Sequence, residues 1–117
     1  MKITHLLMLF WLSGYMPLLN AHAVVTDYSL KIKPIKAEQT GSVSLDFNSK
    51  IELGLSQIFL VSKGDQLSPL TISKGSKQGQ LLVAVPALPS GDYALKIKVF
   101  AADGHLTEDV IHFTVAP

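Results

Sequence analysis

Short runs that alternate apolar and polar side chains, punctuated by turn residues, dominate this sequence. No stretch keeps an apolar period of about 3.6 residues over three helical turns. Val43, Leu45 and Phe47 alternate with Ser44 and Asp46, the pattern of a half-buried strand. Val24 to Ile32 reads as a first strand ended by Pro34, and Gln57 to Ser62 as a third. Leu67 to Ile72 is a strand interrupted early by Pro69, while Gln80 to Val85 is almost unbroken in its apolarity and so predicts a central strand. Asp92 to Phe100 and Val110 to Val115 complete the set, and Ile51 to Leu55 is ambiguous. Glu38 to Ser42 is a polar turn, and Lys63-Gly64-Asp65-Gln66 is a hairpin connection. Strands at intervals of about 8–12 residues with turn signals between them predict an all-β sandwich or barrel of about seven antiparallel strands. Tyr93, just inside the penultimate strand, is placed to tie its hydroxyl back to upstream backbone or to pack as an ordinary core or interface tyrosine.

The first residues do not fit that pattern. Met1-Lys2 is a short basic start, Leu6 to Leu12 is an apolar core, and Gly14 and Pro17 break it before the small residues Ala21 and Ala23. This is the layout of a cleaved signal peptide, and the apolar run is shorter than the roughly 20 residues of a membrane span. The rule of small residues at the junction is met better by cleavage after Ala23 than after Ala21, which would place Leu19 upstream. From His22 onward the chain carries nine lysines, nine carboxylates and no arginine. That balance argues against nucleic acid as a partner, which calls for a basic patch and bidentate arginine contacts. Cysteine is absent, and all three methionines, Met1, Met8 and Met16, lie in the leader. Disulfides, thiol nucleophiles and sulfur ligands are therefore excluded from the exported domain.

The chemistry concentrates at the last turn, Ala101-Ala102-Asp103-Gly104-His105. Asp-Gly between two strand patterns signals a hairpin, because Gly and to a lesser degree Asp tolerate positive φ. The turn then holds a carboxylate and an imidazole at the tip of a rigid hairpin, where both can face one small ion. A third ligand must come from elsewhere. In simple up-and-down alternation the first strand begins at the end of the sandwich where this turn lies, which brings the start of the exported chain close. If that start is His22, one residue offers an α-amine, with an ordinary pKa of about 8, and an imidazole to the same metal. With His105 and Asp103 the set is three nitrogens and one carboxylate oxygen. Such ligation suits Cu(II), with zinc as the competitor, and the lack of sulfur speaks against a Cu(I) site. His112 alternates with Ile111 and Phe113 and so reads as a surface histidine.

The segments Leu88-Pro89-Ser90-Gly91-Asp92-Tyr93, Val99 to His105 and Phe113-Thr114-Val115, together with the opening Ala21-His22-Ala23, resemble the CopC-type periplasmic copper-binding proteins. The resemblance implies an immunoglobulin-like β-sandwich or barrel, a signal peptide over residues 1–21, and a copper-binding domain over 22–117 that begins with histidine. It implies Cu(II) ligation by His22, Asp103 and His105. It also implies copper carriage, buffering or resistance in the periplasm, in exchange with an inner-membrane copper transporter or a periplasmic cuproprotein. The chain departs from the family's pattern in having Leu106 where proline often follows the second histidine, Thr107-Glu108-Asp109 after the turn, and no methionine-rich loop. Two other readings use the same residues differently. A copper-dependent oxygenase would use an N-terminal histidine brace of His22 and His105, although Asp103 would occupy the position oxygen needs. A metal-free immunoglobulin-like interaction module would follow if His22 left with the leader.

Overall fold

A computed structural model of the protein describes residues 24–31 and 34–117. The expected leader, His22, and the end of the expected first strand at Ile32 lie outside the described residues. Among the described residues, eight strands form two four-stranded antiparallel sheets. One sheet has the order β1 (Val25–Tyr28), β2 (Gly41–Phe47), β6 (Gln80–Val85), β5 (Ile72–Lys74). The other has the order β4 (Gln66–Pro69), β3 (Gln57–Ser62), β7 (Gly91–Phe100), β8 (Leu106–Val115).

Period-two patterning builds the core. The inward residues Val43, Leu45 and Phe47 of β2 and Leu81, Val83 and Val85 of β6 meet Ile58 and Leu60 of β3 and Leu95, Ile97 and Val99 of β7. Leu45, Leu95, Ile97, Val83 and Val99 are fully buried. Each such side chain is worth about 1.5–3 kcal/mol of burial, so this layer, without disulfides, carries the domain.

Among the described residues eight strands stand where seven were expected, because the fourth changes sheet between Leu70 and Thr71. Pro69, opposite Phe59, turns its nitrogen to the open edge, where a missing N–H is tolerated, and the Leu70 N–H still bonds the Ile58 carbonyl of β3 at 2.9 Å. After Leu70 and Thr71 the chain runs on in the same direction as β5, an edge of the other sheet. The two pieces are one pass across the sandwich. The last strand is also longer than its apolar part: it starts at Leu106, not Val110, and pairs with β7 through ten unbroken positions from Gly91↔Val115 to Phe100↔Leu106. Ile51 to Leu55, ambiguous in sequence, becomes an Ile51↔Ala101 bridge and a 3-10 turn over Leu53–Leu55. The Tyr93 hydroxyl donates to the Pro89 carbonyl at 2.8 Å and its ring stacks on Phe113, fixing the corner that launches β7.

Candidate metal centre

β7 delivers the turn to its place, and three backbone anchors hold it there. Glu52 N–H donates to the Phe100 carbonyl at 2.8 Å, and Ala102 N–H donates to the Lys50 carbonyl at 3.0 Å. The third anchor is Ser56, a buried residue whose hydroxyl accepts the Phe100 N–H at 3.0 Å and donates to the Glu52 carbonyl at 2.8 Å. Ala101 is buried beneath the turn. The tip therefore stands on the Lys50–Ser56 segment and does not project as a free loop.

The turn itself differs from a two-residue Asp-Gly hairpin. Gly104 N–H donates to the Ala101 carbonyl at 2.9 Å, and Ala101 N–H donates to the His105 carbonyl at 3.0 Å. Gly104 has φ of +89°, and Asp103 is not among the residues with positive φ. Only the glycine needs the left-handed region, as in hairpin loops of more than two residues. Asp103, spared that strain, uses its side chain: Oδ1 accepts the His105 N–H at 3.0 Å. Its Oδ2 faces His105 Nδ1 at 2.9 Å. The carboxylate and the imidazole expected to share a site are thus in direct contact on a partly exposed tip. A carboxylate on Nδ1 fixes the ring's orientation.

The start of β1 reaches the same place. Val24 N–H donates to Asn48 Oδ1 at 2.7 Å, and Asn48 N–H returns a bond to the Val24 carbonyl at 3.1 Å. Asn48 lies two residues before Lys50, whose carbonyl holds Ala102. Val24 is in turn two residues after His22 in sequence. The chain segment next to His22 and the Asp103–His105 turn are therefore bonded to one short connection, Asn48–Lys50. Asn48, Lys50 and Ser56 escaped sequence reasoning because they act through backbone partners far away in the chain.

His112 lies apart from this pair. It stands on the exposed face of β8 opposite Ala94. Among the described residues no three histidine, cysteine, aspartate or glutamate side chains come together as a metal set. Of the candidate ligands, the described residues bring together Asp103 and His105.

Comparison with known proteins fits this architecture. The sequence matches the family model of the CopC domain over residues 29–116. The chain belongs to the CopC family. It is similar in structure to CopC from Methylosinus trichosporium OB3b, with TM-score 0.69 and 28% identity over 82% of this chain and 95% of that one. PcoC, a methionine-rich copper resistance protein from Escherichia coli, shares the fold at TM-score 0.61 and 19% identity, covering 81% of this chain and 99% of that one. No curated protein matches the chain with significance. CopC family membership makes this a copper-related β-sandwich protein and not an enzyme, which removes the oxygenase reading. No helix of the described residues is long and apolar enough to cross a membrane.

Proposed function

We propose that the protein is exported, cut after Ala21, and binds one Cu(II) in the periplasm through His22, Asp103 and His105, carrying or buffering the ion. His22 supplies its α-amine and imidazole, His105 an imidazole, and Asp103 a carboxylate. The observation that carries this reading is the Asp103–His105 pair at 2.9 Å on a turn anchored to the connection that also binds Val24. The donor chemistry fits the ion: nitrogen-rich, with one carboxylate to offset charge, and no sulfur from His22 to Pro117. Asp103 keeps the turn closed through Oδ1, and its Oδ2 and the His105 imidazole, facing each other, are the proposed donors. The ion passes to or from an inner-membrane copper transporter or a periplasmic cuproprotein.

The test has two parts. An intact mass of the exported protein should show a chain of 96 residues beginning at His22. A chain beginning at Val24 ends the proposal in this form, and one extra residue left before His22 should weaken binding by moving the amine off the chelating residue. Electron paramagnetic resonance and competition titration of Cu(II) should then rank the variants. His105→Ala and His22→Ala lose more affinity than Asp103→Ala, because each removes a nitrogen donor, and His112→Ala changes little. An unchanged spectrum in His105→Ala with a lost one in His112→Ala places the site elsewhere.

A further inference from the structure

The outer edge of β8 is the long open edge of this sandwich. The other edge strands protect themselves by length or composition. β4 has four residues and ends in Pro69, β5 has three, and β1 has four with an irregular register. β8 has ten residues, no proline, no lysine and no bulge, and β7 is its one ladder partner among the described residues. Backbone polarity alternates along an antiparallel strand, so every second residue turns its N–H and C=O outward. The phase is fixed at both ends. His105 gives its carbonyl to Ala101 across the hairpin. Ala116 bonds outward instead, donating to the Ile35 carbonyl at 3.1 Å and accepting from Ala37 N–H at 2.7 Å. Leu106, Glu108, Val110, His112 and Thr114 therefore present their backbone groups to the open side. Such a row is a template for another strand.

Asp109 interrupts it. By alternation Asp109 belongs with the inward set, opposite the buried Ile97, yet it is exposed. Its Oδ1 accepts the Val110 N–H at 2.8 Å, so the donor at the middle of the open edge is already taken and a carboxylate stands beside it. Inward-position charges on edge strands are a known way of blocking edge-to-edge pairing.

We infer that Asp109 guards the β8 edge, and that the strand it guards is a pairing site for a second copy of this chain. The occupant follows from the strand's own pattern. Two β8 strands laid antiparallel about a two-fold axis at Val110 keep the same faces aligned and set Glu108 of each copy opposite His112 of the other. A carboxylate opposite an imidazole attracts as a hydrogen bond, and as an ion pair when the ring is protonated. Val110, 47% exposed, meets its own counterpart at the axis. Shifting the register by two residues in one direction sets Asp109 against Asp109, and in the other it separates Glu108 from His112. With the guard in place the hairpin that carries Asp103 and His105 stays clear of a neighbouring molecule.

The test is solution mass by light scattering over a concentration series, using the exported chain and its variants. The wild type should remain a monomer. Asp109→Thr, which removes the carboxylate and its charge but keeps a strand-forming residue, should show an about twofold rise in mass. The outward amides of Glu108 and His112 should then exchange more slowly with solvent. Adding Val110→Pro, tolerated where the N–H faces outward, should return the mass to that of a monomer, and adding Glu108→Lys should weaken the dimer. A wild type already paired through β8, an Asp109→Thr protein that stays monomeric while folded, or a dimer that survives Val110→Pro would each overturn the inference.

Discussion

Removing one buried hydroxyl should loosen the Asp103–His105 turn without touching a proposed ligand. Ser56 is 8% exposed and serves two partners, the Phe100 N–H at 3.0 Å and the Glu52 carbonyl at 2.8 Å. In Ser56→Ala the Glu52 carbonyl retains Leu55 N–H at 3.2 Å, so its loss is small. The Phe100 N–H loses its acceptor, the Ser56 hydroxyl. An unsatisfied buried donor costs about 1–3 kcal/mol, and in a domain of this size each kcal/mol moves Tm by roughly 4–8 °C. The expected fall is on the order of 5–20 °C, read by circular dichroism on the metal-free protein. Phe100 leads directly into Ala101 and the ligand turn, so Cu(II) affinity should also drop, but less than in His105→Ala, which deletes a donor. Ser76→Ala is the control: its hydroxyl makes one exposed contact to Gln80 at 3.3 Å and should stay within about 0.5 kcal/mol of wild type. A Ser56→Ala protein that melts with the control, at unchanged copper affinity, would refute the claim that this hydroxyl fixes the end of β7.

Other outcomes follow from the same geometry. A Cu(I) competition titration should show weak binding, since no sulfur donor exists from His22 to Pro117. Cu(II) affinity measured by titration should fall on acidification, because protons compete for the imidazole and amine nitrogens. Gly79→Ala should destabilise far more than Gly104→Ala in a denaturant melt. Both glycines have positive φ, costing an alanine about 1–2 kcal/mol. At Gly79, however, the new Cβ would also stand 2.7 Å from the Phe47 carbonyl oxygen, whereas at Gly104 it meets open space.

The fold was legible wherever one face is buried and the other wet. β2, β3 and β6 fall where the alternation of Val43-Leu45-Phe47 and the apolar runs at Gln57 and Gln80 put them. Failures came where the partner, not the side chain, decides. Leu106 to Asp109 looks like loop because it is polar, but it lies on an edge strand, so pairing with Phe100 to Ile97 sets its conformation. Pro69 was visible as an interruption, but the change of sheet after it was not. It depends on which neighbour offers backbone groups, β3 up to Leu70 and β6 from Thr71 on.

The placement of the proposed site rests on topology more than on strand count. What brings the start of β1 to the turn after β7 is the number of passes across the sandwich, since each pass reverses direction. The change of sheet adds a strand but not a pass: β4 and β5 run the same way. β1 therefore begins, and β7 ends, at one end of the molecule, where Val24 is bonded to Asn48 and Ala102 to Lys50. Had the chain reversed between β4 and β5, the segment next to His22 would lie a full strand length from Asp103 and His105, with every local motif unchanged. The proposed site, drawing on His22 and the last turn of the final hairpin, thus depends on strand parity, and the core pairing β2–β6 and β3–β7 enforces that parity.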